Sequence, residues 1–279
     1  MFEVIVLCTL ALIWIIVATV QDIKMREVAN WINFSLIIFA LGFRFFYSLF
    51  AEASFMFFYQ GLIGLAIFFA LGNIFYYSRM FAGGDAKLLI ALGAILPFSE
   101  SFFSNLKIFA LFFFVFLIVG AIYGLIWSTV LVIKNFKEFK KQFLNHHIKY
   151  KNKIYLVMFF GILCMFLGFI ETLFFLTGVL IFILPYFYIY AKAIDEACMV
   201  KKIKTKDLRE GDWLYKNTKI KNKIIKANWD GLTKEQIKLI QKYKKQIKIK
   251  QGIPFVPVFL ISFAILITLY FLEFSFSFF

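Results

Sequence analysis

The sequence predicts an all-α polytopic membrane protein with about eight transmembrane helices and a small α+β insert before the last helix. Two observations carry this prediction. Hydrophobic residues make up 62% of the 279 residues and the mean hydropathy is +0.84, whereas a soluble domain is nearer half apolar. The apolar residues also fall in long runs, and a run of about 20 residues is what a helix needs to cross a bilayer.

Eight apolar runs are candidate spans. The first has no basic stretch before it and no small-residue cleavage site after it, so we expect a retained span and not a signal peptide. The apolar stretch 154–190 is too long for one helix, and Glu171 divides it. The predicted spans, in chain order, are Phe2–Val20, Trp31–Phe50, Phe55–Tyr77, Ala86–Phe98, Leu106–Ile133, Ile154–Ile170, Thr172–Tyr190 and Ile253–Leu272.

The distribution of basic residues predicts the orientation, because cytoplasmic loops carry an excess of lysine and arginine. With the N-terminus outside, the inner segments hold all of the 31 basic residues except Arg44, Lys87 and Lys107. The inner segments are 21–30, 78–85, 134–153 and 191–252. The outer segments are 51–54, 99–105 and Glu171, which carry Glu52, Glu100 and Glu171 and no other charge. A seven-span alternative, with 154–190 as one helix, would place the lysine-rich segment 191–252 outside.

This topology places Asp22 and Asp85 on the same cytoplasmic side of a plasma-membrane protein. Asp22 closes the first span and Asp85 precedes the fourth. The fourth span, Ala86–Phe98, reaches only about 20 Å at 1.5 Å per residue. Asp85 is therefore recessed in the membrane if the span ends there, or interfacial if the helix continues through Ser99–Phe103. Both alternatives stay open at this point.

The segment 134–153 interleaves lysines with phenylalanines, which predicts an amphipathic segment on the inner leaflet. We expect its adjacent His146 and His147 to be solvated. The three cysteines are far apart and form no disulfide framework or metal motif. No metal or cofactor is expected. The net charge of +15 indicates cytoplasmic loops and anionic membrane lipid as partners, and not nucleic acid.

The insert 191–252 divides the chain into a membrane core (1–190), the insert itself and a last span with the C-terminal end (253–279). Short alternating stretches predict strands at Lys201–Lys204 and Lys219–Lys221. Arg209–Leu214 is typical of a turn that leads into a strand. Thr233 predicts an N-cap for a short helix that extends to about Lys245. About 60 residues are marginal as an independent fold, so we expect the insert to pack on the membrane core.

Two carboxylates at one membrane boundary favour acid–base chemistry. Because like charges repel, such a pair shares one proton, and one group can activate water while the other protonates a leaving amine. Gly83 and Gly84, which lack side chains, would let a substrate backbone approach Asp85. Each feature also has an ordinary structural explanation. Paired glycines form turns, aspartates cap helices, and Lys24 and Arg26 are common juxtamembrane charges.

The sequence resembles the archaeal prepilin and preflagellin (class III signal) peptidases, which are membrane aspartic peptidases with a Gly-x-Gly-Asp motif. In that family one catalytic aspartate follows the first span, within a basic stretch that leads to an asparagine. Here the matching residues are Asp22, Lys24, Arg26 and Asn30.

The second catalytic aspartate of the family lies in the Gly-x-Gly-Asp motif, which precedes a lysine and a leucine. Here the match is Gly83-Gly84-Asp85 with Lys87, and it departs at Ala82, where the first glycine is expected. The stretch from Gly252 to Pro257 also looks like the C-terminal part of archaeal members. The resemblance covers the frame of the whole chain and is sharpest around 20–33 and 79–93.

The resemblance implies a membrane-embedded aspartic endopeptidase. Its substrates would be prepilin-like or pre-archaellin precursors, whose short basic leader peptides are removed at the cytoplasmic face. A basic leader should prefer acidic contacts. The candidate leader-binding residues are Glu27, Asp195, Glu196, Glu210 and Asp212.

Two other functions compete with this one. A transporter or channel would also use intramembrane carboxylates, although such sites usually lie near the midplane of repeated halves, and no repeat is evident here. A non-catalytic pilus or archaellum assembly protein would use the insert for docking and would not need either aspartate. The sequence makes no prediction of oligomeric state.

Overall fold

The computed structural model describes residues 1–50, 54–220, 223–229 and 231–276. The predicted outer-loop residue Glu52, the predicted strand residue Lys221 and the last three residues of the predicted C-terminal end lie outside these ranges. The α-helices in the described ranges are α1 (Phe2–Met25), α2 (Asn30–Phe50), α3 (Met56–Tyr77), α4 (Gly83–Gly93), α5 (Phe102–Lys134), α6 (Phe136–Leu167), α7 (Thr172–Ala197), α8 (Lys234–Tyr243) and α9 (Val256–Phe276).

The predicted multi-pass helical membrane fold is confirmed. Within the described residues, six helices are long and apolar enough to cross a bilayer, namely α1, α2, α3, α5, α6 and α7. The predicted count of eight spans is not reached on this criterion, because α4 is short and α9 is apolar over Val256–Leu272 only. Large apolar side chains such as Ile38, Leu117 and Leu180 are exposed along these helices. A surface of this kind is stable against lipid chains and unfavourable in water.

Helix α6 departs from its predicted boundaries. The sixth span was expected to begin at Ile154, after a separate amphipathic segment, whereas one continuous helix runs from Phe136 to Leu167. No proline interrupts this range, so the helix formed by the Lys/Phe pattern continues into the apolar run. The predicted division at Glu171 is confirmed, because α6 ends at Leu167 and α7 begins directly after Glu171.

The first packing unit comprises Met1–Leu125 and Ile253–Phe279. Its core is built around α4, whose Leu88, Leu89 and Leu92 are completely buried. Helix α4 packs against α2 and α3, and α1 packs against α2 and α9. Aromatic rings also pack in this core, where the Phe116 and Phe259 ring centroids lie 4.7 Å apart. This unit holds both aspartates.

The second unit comprises Ile126–Gly252 and contains the α6–α7 hairpin and the insert. The described strands are β1 (Val200–Lys204), β2 (Trp213–Leu214), β3 (Thr218–Ile220), β4 (Lys223–Ile225) and β5 (Gln246–Lys250). They form an antiparallel sheet in the order β1-β5-β2 and a β3–β4 hairpin. The predicted α+β insert is therefore present. The domain boundary at 190/191 stays a prediction.

The local predictions in the insert are close to the observed elements. The strand expected at Lys201–Lys204 is β1, and the turn before Leu214 leads into β2. Thr233 caps α8 in a capping box, in which its hydroxyl accepts the Gln236 N–H (3.4 Å) and the Gln236 side chain accepts the Thr233 N–H (3.1 Å). Helix α8 ends at Tyr243, two residues before the predicted end.

Candidate active site

Asp22 lies in the last turn of α1 and continues its buried stripe. Buried residues recur along this helix at Ile15, Ala18 and Asp22, a spacing that places them on one face. Asp22 as a whole residue is 6% exposed, and its Oδ2 accepts a hydrogen bond from the Val256 N–H at 3.0 Å. Val256 is the first residue of α9, where a backbone N–H has no partner inside the helix. The contact therefore joins the first and last helices at the aspartate.

Asp85 lies in the first turn of α4 and is half-buried. It precedes Leu88, Leu89 and Leu92 by three, four and seven residues, so it occupies the buried face of the helix. The N-terminus of a helix carries a partial positive charge that favours a carboxylate. Both aspartates thus meet helix N-termini, Asp85 in its own helix and Asp22 at α9.

The structure brings the two aspartates together. Asp22 and Asp85 are close enough for their charges to repel each other. The Arg26 guanidinium attracts the Asp22 carboxylate. The Tyr123 hydroxyl of α5 is close enough to interact electrostatically with both Asp22 and Arg26. Arg26 follows α1 in the left-handed conformation, with φ 59°, and this turns the chain away from the helix axis. The result is a carboxylate pair with an arginine and a tyrosine beside it.

The segment after α1 packs on the start of α4. The Ala29 N–H donates to Gln21 Oε1 (2.9 Å), which folds the segment back on α1. A Cβ placed on Gly84 would be 3.4 Å from the Val28 backbone N, an ordinary van der Waals distance, so the two segments are in direct contact at this position. Asp22 and Asp85, which flank this contact in sequence, are thereby held near each other.

The predicted supporting residues differ in what they contact. Lys87 Nζ donates to Asn30 Oδ1 at 2.7 Å and ties α4 to the start of α2. Gly83 is less crowded than Gly84, because a Cβ placed on it would meet the Tyr76 ring first, at 3.7 Å. Lys24 and Glu27 are exposed.

The other predicted leader-binding acids lie in the second unit and have intrachain partners. Asp195 pairs with Lys250, and Glu210 Oε2 pairs with Lys234 Nζ at 3.4 Å. Asp212 Oδ2 accepts the Arg209 N–H at 2.7 Å. A leader peptide would have to compete with these contacts.

His146 corrects the expectation of a solvated histidine pair. Its side chain is buried, and its Nε2 lies 3.1 Å from Glu196 Oε2, the remaining predicted leader-binding acid. The α6–α7 hairpin makes this contact between residues 50 positions apart. Among the described residues, no group of three His, Cys, Asp or Glu side chains could hold a metal ion.

Arg44 supports the site through α4, and this role was missed by the sequence analysis, which noted only that Arg44 lies inside the second span. The side chain is completely buried. Its Nε donates to the Ala94 carbonyl (2.9 Å) and its Nη1 to the Phe57 carbonyl (2.8 Å), while Nη2 reaches the Ile95 and Pro97 carbonyls. A lone arginine in an apolar run is a functional-site signal, and here it secures the chain that leaves α4.

The end of α4 settles one alternative left open by the sequence. Helix α4 stops at Gly93, and α5 begins at Phe102. The alternative in which the fourth helix continues through Ser99–Phe103 is therefore wrong. Pro97 cannot extend a helical hydrogen-bond ladder. Asn105 closes the segment, because its side chain donates to the Ser99 carbonyl (2.7 Å) and accepts the Ser99 N–H (2.9 Å).

The fold and site define a multi-pass membrane protein that carries a carboxylate pair at the ends of its helices. Residues 9–127, which contain both aspartates, match the Type IV leader peptidase family. The resemblance drawn from the sequence motifs is thereby confirmed for this part of the chain. No solved structure matches the chain significantly.

Curated relatives support the same assignment. The chain is 32% identical over 85 residues to a preflagellin peptidase of Methanocaldococcus jannaschii. It is 35% identical over 83 residues to one of Methanococcus maripaludis and 30% identical over 88 residues to one of Methanococcus voltae. These matches cover 30%, 30% and 32% of this chain. They span 36%, 35% and 37% of the relatives' own length, which is little more than a third.

Proposed function

We propose that the protein is a membrane-embedded aspartic endopeptidase that removes short basic leader peptides from prepilin-like or pre-archaellin precursors. The observation that carries the proposal is the approach of Asp22 and Asp85 at helix N-termini, inside the segment that matches the leader peptidase family. The preflagellin peptidase relatives indicate the class of substrate.

In the proposed reaction the two carboxyl groups hold one proton between them. The ionised carboxylate takes a proton from a water molecule as the water oxygen attacks the scissile carbonyl carbon. The protonated carboxyl gives its proton to the departing amide nitrogen, and the C–N bond breaks. The leader leaves with a new carboxyl terminus and the mature protein with a new amino terminus. Gly83 would leave room for an extended substrate backbone beside Asp85, whereas the space at Gly84 is occupied by Val28.

We further propose eight membrane helices, with α4 and α9 included, in a plasma-membrane protein whose N-terminus is outside. The charge bias of the loops supports this orientation, in which the aspartates and the insert would face the cytoplasm. In this arrangement the short α4 leaves Asp85 recessed below the cytoplasmic surface. The cut would then fall where a basic leader meets a hydrophobic segment.

Glu27 is the leader-binding candidate nearest the pair in sequence. It follows Asp22 by five residues and is exposed, so a leader lysine could reach it from the solvent. Asp195, Glu196, Glu210 and Asp212 remain candidates of the same kind, but each would first lose the contact described above.

The test is cleavage of a preflagellin and a prepilin by purified protein in detergent. Asp22→Asn and Asp85→Asn should each lower kcat/KM by about 10²–10⁴-fold, because each substitution removes one proton-transfer group. Asp207→Asn, at an exposed aspartate of the insert, is the matched control and should cleave normally. Melting temperatures near that of the wild type would show that the variants fold.

Two results would contradict the proposal. Cleavage that survives either substitution at the pair would exclude the shared-proton mechanism. If the wild-type protein cuts none of a panel of leader-bearing precursors, the result would favour the transporter or assembly function over the peptidase.

A further inference from the structure

The sheet of the insert has two chemically different faces. In β5, Ile247 and Ile249 are buried in the core of the insert, while the alternating residue Lys248 is exposed. Since side chains alternate across a strand, Lys248 lies on the face away from that core. Lys202 of β1 is directly opposite Lys248 in the antiparallel register, and the Tyr215 N–H donates to the Lys248 carbonyl at 3.1 Å.

The opposed lysines are unfavourable for the insert alone. Directly opposite residues of an antiparallel pair have their Cβ atoms about 5 Å apart, and like charges at that position destabilise the sheet. The surroundings add to the positive charge, because Lys216 and Lys244 line the same surface cavity as Lys202 and Lys248. The cavity has a volume of about 370 Å³.

The polar groups of this cavity are suited to an anion. Each lysine ammonium offers three hydrogen-bond donors, and Tyr215 and Thr218 are also lining residues. Within the described residues, no aspartate or glutamate lines the cavity. Among the acids of the second unit, Asp195 and Glu210 are paired with Lys250 and Lys234.

We propose that this cavity, formed by Lys202, Lys216, Lys244 and Lys248 and called here the lysine cavity, binds phosphate groups. Lysine is a compact point charge and a common phosphate ligand. A bound phosphate would neutralise the Lys202–Lys248 repulsion and so stabilise the insert. The phosphate belongs either to a lipid headgroup or to a soluble phosphate compound.

The proposal goes beyond leader cleavage and does not depend on it. Under the proposed function the leader is basic, and the lysine cavity would repel it. An acidic protein segment is the other class of partner. The structure favours phosphate because the four lysines line one cavity of limited volume, whereas an extended acidic peptide would need a row of charges.

The experiment measures protection of individual lysines from acetylation by mass spectrometry. The full-length protein is labelled in a phosphate-free neutral detergent with increasing inorganic pyrophosphate. It is also labelled in nanodiscs of phosphatidylcholine with and without phosphatidic acid. We expect saturable protection of Lys202 and Lys248, and none of Lys238 on α8. Protection by pyrophosphate alone identifies a soluble phosphate ligand. Protection by phosphatidic acid in the absence of pyrophosphate identifies a headgroup.

Charge-matched variants test whether the site is specific. Lys202→Gln/Lys248→Gln should weaken pyrophosphate binding at least tenfold by calorimetry, while Lys206→Gln/Lys238→Gln, at exposed lysines outside the cavity, should change it less than twofold. Equal weakening in both double variants would show diffuse charge and overturn the proposal. So would the absence of saturable protection, or equally tight binding of a polyglutamate peptide. Leader cleavage by the same samples is an independent readout, so failure here leaves the peptidase proposal intact.

Discussion

Arg44 carries a full charge in the apolar core of the first unit, where an ion without partners is very unfavourable. The structure meets this requirement with backbone carbonyls of Phe57, Ala94, Ile95 and Pro97. Its guanidinium also lies 4.3 Å from the centroid of the Phe57 ring, a cation–π distance. Arginine meets this requirement better than any other side chain, because its planar guanidinium carries five donors that can reach several carbonyls at once.

We predict that Arg44→Met lowers the free energy of unfolding by about 3–5 kcal/mol, because it leaves buried carbonyls without donors. The stability of Arg44→Lys should lie between those of Arg44→Met and the wild type. Thermal melting in detergent, followed by tryptophan fluorescence, measures the change.

Lys107→Met, which neutralises an exposed residue of α5, is the control and should melt with the wild type. An Arg44→Met protein that also melts there would show that the carbonyl contacts contribute little to stability.

At the scale of elements, α4 is the helix that positions the site. Its N-terminal half is tied to α2 by the Lys87–Asn30 hydrogen bond and packs on the segment after α1 through Gly84. Its last residue, Gly93, touches α3, where a Cβ would be 2.6 Å from the Gly64 carbonyl oxygen and 2.5 Å from Phe68 Cβ. Both distances are far below van der Waals contact, so the backbones of α3 and α4 must separate if a side chain is added.

We predict that alanine substitutions at the two ends of α4 have different effects on stability. Gly83→Ala should be neutral or slightly stabilising, because the position is uncrowded and alanine favours helix by up to about 1 kcal/mol. Gly93→Ala should destabilise by about 1–3 kcal/mol from overpacking, despite the same gain in helix propensity. Chemical denaturation in mixed micelles compares the two. Equal stability of the two variants would contradict the close α3–α4 packing.

The elements that could be predicted are those whose signal is local. The apolar runs, the break at Glu171 and the Thr233 cap are each encoded within a few residues, and the structure has all of them. Asp22 and Asp85 could be paired through topology and motif. The Val256 contact to Asp22 could not, because it joins residues 234 positions apart and depends on how α1 packs on α9. The start of α6 was missed because an amphipathic pattern does not show where it joins a span.

At the scale of the whole molecule, the basic residues are concentrated in a few segments of the chain. Segments 134–153 and 191–252 are rich in lysine, whereas the connection between α6 and α7 contains only an acidic charge, Glu171. The positive-inside rule therefore predicts opposite membrane sides for the insert and for Glu171. The same rule places Lys24, two residues after Asp22, on the side of the insert.

We predict that single cysteines report these sides in a background where Cys8, Cys164 and Cys198 are alanine. Glu171→Cys and Ser101→Cys should react with a membrane-impermeant maleimide in intact cells, since both lie in predicted outer segments. Lys24→Cys and Lys238→Cys should react only after permeabilisation. The controls are internal, because each variant is labelled before and after permeabilisation.

The Glu171→Cys variant separates the topologies. Reaction from outside requires α6 and α7 to cross the membrane as two helices and supports eight spans. Absence of labelling under both conditions would place residue 171 within the bilayer and contradict the eight-span topology. Reaction of Lys24→Cys in intact cells would place Asp22 outside. Because leader peptides of precursors meet the enzyme on the cytoplasmic side in the proposed function, that result would remove the aspartate pair from its substrate.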